Sequence, residues 1–207
     1  MRPLLRLLAP LLLWLASAMP AQAAVTITFW SHELGNSFPH TFFSLRGVAD
    51  AGGPPVDSYF GFTARSVSPA LLFGSVAGRL DRPTPGYVAG SDAQFSVVMT
   101  DAQYAEILAL IAGWSEDGGD SRYDLGTRNC IHFVKEAAGR LGLTGLDQPK
   151  LMRKPRSYLK AVAAANAGRV TPIGQHGRAY LATLPPIAPV AAAQPAGTIS
   201  TTSSSDS

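Results

Sequence analysis

The chain has 207 residues, 46% of them hydrophobic, a single cysteine, and a formal net charge of +3 from 17 Lys and Arg against 14 Asp and Glu. That length and apolar share are enough for the core of one ordinary domain. The small charge excess is not the clustered basic surface that phosphate tracking needs, so no nucleic-acid partner is expected.

Arg2 and Arg6 flank the start of an apolar run from Leu4 to Leu15, and Ala21-Gln22-Ala23 has the small-x-small form of a cleavage site. Residues 1–23 therefore read as a secretory signal peptide. The run is about a dozen residues, short of the roughly 20 that a membrane-spanning helix needs, and later apolar runs are broken by charge, Gly or Pro. The expected exported form starts near Ala24, is periplasmic or extracellular, and has no stable membrane span. Loss of Arg2 and Arg6 leaves its net charge near +1.

Val25 to Trp30 is β-branched and aromatic with period-2 alternation, the pattern of a strand. His40 to Arg46 and Ser58 to Ala64 repeat it. Two Gly and two Pro between Ala49 and Pro55 predict a hairpin with a loop longer than a tight turn. Ala93 to Met99 is a fourth strand candidate. Thr100-Asp101-Ala102-Gln103 has capping-box spacing, and Tyr104, Ile107, Leu108 and Ile111 share one face of a helix predicted over Asp101 to Trp114.

A second helix is expected from Asn129 or Cys130, with Phe133, Val134, Ala137 and Leu141 buried and Gly142 as its stop. A third follows Pro155 and ends near Gly168, and the basic run Lys150 to Arg156 reads as its solvated start. From Ile187 onward the chain is mostly Ala, Pro, Gly, Ser and Thr, and 168–207 as a whole is expected to be a low-complexity, mostly disordered tail. The folded domain is then 24–167. Its class is expected to be α+β, a small antiparallel sheet packed on helices, because strands and helices do not alternate strictly.

The single cysteine and the export signal bear on each other. In an oxidising compartment Cys130 has no internal partner, so its thiol is free or intermolecular. It sits at a predicted helix start, where unpaired backbone N–H groups and the helix dipole stabilise a thiolate and can stabilise an oxyanion. The alternative is a small buried hydrophobe on the helix. Of four histidines, His40 opens a strand whose rigid backbone can hold an imidazole. His132, two residues along the helix, points away from the thiol. His32 follows the first strand, and His176 lies near the tail.

The segment Asn129-Cys130-Ile131-His132-Phe133-Val134, preceded at long range by Phe38-Pro39-His40-Thr41-Phe42-Phe43, resembles the circularly permuted NlpC/P60 branch of papain-like proteins, which includes lecithin:retinol acyltransferase-like proteins. The likeness covers roughly Val25 to Gly142. It implies a permuted papain-like architecture, a thiol nucleophile at Cys130, a general base at His40, and a third polar residue orienting His40 from the next strand. Thr63 is the expected orienter, set opposite His40 by the hairpin. Asp57 is a better acceptor but nearer the loop, and His32 is a further candidate.

Other motifs lack their context. Ser157-Tyr158-Leu159-Lys160 has Ser-x-x-Lys spacing without Ser-Asp-Asn or Lys-Thr-Gly. His32-Glu33 lacks the second histidine of a zincin. Asp117, Asp120 and Asp124 do not have calcium-loop spacing, and no dinucleotide or Walker glycine motif is present, so neither metal nor cofactor is expected. The expected function is an exported thiol hydrolase or acyltransferase, with a peptide, peptidoglycan or lipid substrate. The second expectation is a non-catalytic envelope binding module on the same fold, with an inert buried cysteine and a pocket around Trp30, Phe42 and Tyr59.

Overall fold

The β-branched and aromatic runs form strands, and more of them than their composition signals. A computed structural model describes residues 24–33, 38–66, 68–117 and 120–187; the signal-peptide reading and residues 188–207 lie outside these. The strands are β1 (Thr26–His32), β2 (His40–Gly47), β3 (Val56–Ala64), β4 (Val76–Asp81), β5 (Asp92–Val98), β6 (Arg122–Tyr123) and β7 (Thr171–His176). The helices are α1 (Pro85–Ala89), α2 (Asp101–Trp114), α3 (Cys130–Arg140), α4 (Pro155–Ala165) and α5 (Gly177–Thr183). Seven strands pair antiparallel in the order β6-β4-β3-β2-β1-β5-β7, so the class is α+β. The β2–β3 hairpin forms as expected, around a loop with Gly52 and Gly53 at positive φ.

Strands β4, β6 and β7 were not expected. β4 buries one residue, Gly78, β6 has two residues, and β7 contains Pro172 and Gly174. Their own propensity is weak, and ladder bonds to stronger neighbours hold them in the sheet. Pro172 is tolerated because β7 is an edge strand.

Ordered structure also runs past Ala167, where the sequence suggests a disordered tail from 168. Residues 171–183 form β7 and α5 because Ile173, Tyr180 and Leu181 find apolar surface on the sheet. That surface is invisible in the segment's own composition.

The helices obey their local signals. Thr100 and Gln103 close a capping box on α2, with Gln103 N–H donating to Thr100 Oγ1 at 3.2 Å and Thr100 N–H to Gln103 Oε1 at 3.0 Å. α3 ends at Gly142, φ +73°, where Leu143 N–H bonds Ala138 O at 3.0 Å and Gly142 N–H bonds Gly139 O at 2.9 Å. This is a Schellman closure, and the positive φ favours glycine.

Strand alternation divides the core in two. Ile27, Phe29, Phe43, Leu45, Phe60, Phe62 and Phe95 face α2, α3 and α4 and join Ile107, Trp114, Phe133 and Tyr158 in the main core. Phe133 of α3 stacks on Phe43 at 5.1 Å and lies 5.2 Å from Trp114, whose ring meets Phe62 at 4.8 Å. Each fully buried aromatic or aliphatic side chain contributes about 1.5–3 kcal/mol relative to exposure.

The opposite face carries a smaller cluster of Trp30, Phe42, Val88 and Ala93, covered by Tyr87, Ile173, Tyr180 and Leu181. Trp30 is 1% exposed, packs edge-on to Tyr180 at 5.6 Å and donates through Nε1 to Ser44 Oγ at 2.9 Å. The expected pocket around Trp30, Phe42 and Tyr59 is therefore filled by the chain's own α5. Gly177 makes that closure possible: a Cβ there would lie 2.2 Å from Val88 O.

Candidate active site

Asn129 builds the start of α3. Its Oδ1 accepts from the N–H groups of Ile131 (2.8 Å) and His132 (3.2 Å), and its Nδ2 donates to Leu125 O (2.8 Å) and Met152 O (3.0 Å). Asparagine is thus needed here as an N-cap that also ties down the segment leading to α4. His132 completes the cap: its Nδ1 accepts from Asn129 N–H at 3.2 Å. This occupies His132 away from the thiol, as its helix position suggests.

Cys130 follows the cap, 5% exposed and unpaired. Its sulfur lies among the backbone N–H groups of Thr41, Ile131 and Cys130 itself. Burial pushes the thiol up to about 11, and those N–H groups only partly oppose the shift. At neutral pH about one thiol in ten thousand is then ionised.

The sulfur adjoins a cavity of about 220 Å³. Asn129, Cys130 and Ile131 line it from the start of α3, Thr63 and Ala64 from the end of β3, and Phe38, Pro39 and Leu71 from the loops nearby. Met152, Arg153 and Pro155 line it as well. No histidine lines it.

The His40 ring projects from the sheet face that carries Phe42. β2 presents Thr41 and Phe43 toward α3, so His40 and Phe42 face away from it. The His40 ring lies 6.2 Å from Phe42 and 6.4 Å from Tyr87, and its Nε2 sits where a Cβ on Gly61 would be, 2.7 Å away. That nitrogen is buried and has no hydrogen-bond partner. Burial pushes the imidazole down to about 4, with Asp81 pulling it up and His32 down. The backbone of β2 thus reaches the thiol, while His40 Nε2 makes no hydrogen bond to it.

The two groups are mismatched for proton transfer as they stand. Burial raises the thiol and lowers the imidazole, so it opposes moving a proton from Cys130 to His40.

The candidate orienters separate cleanly. Thr63 lies two residues beyond the last β2–β3 pair, Phe42↔Gly61, which sets it opposite His40, and it also lines the Cys130 cavity. Asp57 pairs with Arg46 at 2.5 Å, six residues along β2 and so about 20 Å from His40. His32 is the direct strand partner of His40, but its ring stacks on Tyr87 at 4.1 Å and its Nδ1 meets Ser91 Oγ at 3.0 Å. Ser91 donates its own proton to Tyr87 O at 2.8 Å, so it accepts from His32 and is not poised as a nucleophile. His176 closes β7 opposite Asp92.

Asp81 escaped the sequence reading. It sits on β4 directly across from Gly61, so His40, Gly61 and Asp81 run across three strands on one face. The sequence signal was Gly61 itself, because a glycine inside a strand marks a close approach.

No family model matches the chain, and no curated protein and no solved structure matches it either.

Proposed function

We propose that this chain is an exported, non-catalytic binding module of the periplasm or cell exterior, built on a permuted papain-like fold, whose Cys130 cavity receives an apolar group of a peptide, peptidoglycan or lipid ligand. One observation carries the reading: a neutral, 5% exposed thiol adjoins a cavity that no histidine lines. Cys130 then serves as a small apolar wall residue. Pockets that enclose whole drug-sized ligands span roughly 300–1,000 Å³. At about 220 Å³ this cavity suits one bulky side chain or a short acyl segment.

A second reading, a thiol hydrolase or acyltransferase, draws on the backbone N–H groups around the sulfur. These are the donors that would steady a thiolate or the oxyanion of an attacked carbonyl. In that reading His40 leaves its place over Gly61 to take the thiol proton, with Thr63 beside it.

Alkylation by iodoacetamide, followed by mass spectrometry, separates the two. The binding module is labelled slowly at neutral pH, faster as pH rises into the alkaline range, and at the same rate in His40→Ala. Rapid labelling near pH 7 that His40→Ala slows would overturn it in favour of the hydrolase.

A further inference from the structure

Phe38, Leu72 and Phe73 are 63%, 73% and 87% exposed, unusual for such large apolar side chains. Both segments that carry them contribute to the lining of one cavity, through Phe38 and through Leu71. Leu72, next in the chain to Leu71, is the last residue of the short 3₁₀ turn Pro69–Leu72, and Phe73 follows it. Leu71 is buried at 7% and anchors the turn, while the next two side chains project outward. A solvated turn is served by Ser, Asn, Asp or Gly, so Leu and Phe here have no role in turn chemistry. Single exposed apolar residues are ordinary, whereas several on the segments that line an apolar cavity mark an interaction site.

A second stretch that borders the same cavity is cationic. Met152 and Arg153 also line the cavity, and Lys150, Arg153 and Lys154 are all exposed. None of the three has a carboxylate partner among the described residues. An apolar wedge beside unpaired cations is complementary to a surface that is negative outside and apolar just beneath. An anionic bilayer has that layering: phosphates attract Lys and Arg, and the headgroup–acyl boundary accepts Leu and Phe.

We propose that this rim docks the exported protein on an anionic membrane surface. Phe38, Leu72 and Phe73 enter the headgroup–acyl boundary, Lys150, Arg153 and Lys154 face lipid phosphates, and the Cys130 cavity opens toward the bilayer. The docking does not depend on what the cavity holds or on whether the thiol reacts.

Co-sedimentation with vesicles tests it, using phosphatidylcholine with and without phosphatidylglycerol and full-chain samples that share one N-terminus. Phosphatidylglycerol should tighten binding at least about tenfold, given about fivefold for each cation near the surface. The preference should shrink as salt is raised. The triple variant Lys150→Glu, Arg153→Glu, Lys154→Glu should lose it. Leu72→Ser with Phe73→Ser should weaken binding about tenfold on either vesicle. The altered residues are exposed, so an unchanged circular dichroism spectrum shows that each variant is folded. Equal binding with and without phosphatidylglycerol, or folded variants that bind as the parent does, would overturn the proposal.

Discussion

On one face of the sheet Phe29, Phe43 and Phe95 meet helices α2, α3 and α4, while on the other Trp30 and Phe42 are closed by short pieces, α1, β7 and α5. The first face is a helix-packed core whose elements carry strong local signals. The second is assembled from short segments, two of which, β7 and α5, arrive late in the chain without such signals. His40 and Thr41 are neighbours in sequence, yet their side chains belong to opposite faces, so a short His-bearing motif does not by itself make a shared site with Cys130. What the two faces share is the backbone of β2, which brings a Thr41 N–H to the sulfur.

The largest expected effect tests that contrast directly. Phe133→Ala on the helix-packed face should cost about 3–5 kcal/mol, since Phe133 is fully buried and touches both Phe43 and Trp114. Tyr180→Ala on the other face removes a half-buried ring and should cost about 1–2 kcal/mol. Urea denaturation of both variants measures the difference, and equal losses would mean that the second face is as much a core as the first.

Next comes pH. The His40 imidazole is held near 4 in the folded protein, below its ordinary 6.5, so the unfolded chain takes up the proton first as pH falls. Its contribution is present above about 6.5 and is lost as pH drops toward 4, a loss approaching about 3 kcal/mol. Burial lowers His32 and His132 as well, with the same sign. His40→Gln should flatten the acid limb of the stability curve. An unchanged limb would mean that the imidazole is not enclosed on its face.

The smallest effect is expected from Gly61→Ala. The new methyl would meet His40 Nε2 at 2.7 Å and Phe42 Cβ at 3.2 Å. Displacing the ring should cost about 1–2 kcal/mol and move the His40 imidazole resonances in NMR spectra. A variant as stable as the parent, with those resonances in place, would remove Gly61 as the seat of the ring.

The elements that pack the main core were legible in the chain because each carries a local reason for its structure. Period-2 alternation marks β1, β2, β3 and β5, the Thr100–Gln103 box starts α2, and Gly142 ends α3. The Asn-Cys helix start was legible for a related reason, since an asparagine N-cap acts on the two or three residues that follow it. β4, β6, β7 and α5 were not legible, because their stability comes from surfaces more than a few residues away.

The site divides along the same line. Sequence alone identifies an unpaired thiol at a capped helix start and an imidazole at a strand start, both local properties. Whether the two meet depends on the parity of β2 against the sheet, on the glycine at 61 that leaves room for the ring, and on α5 closing the far face. Those are consequences of long-range packing, in which a shift of one residue reverses every side chain.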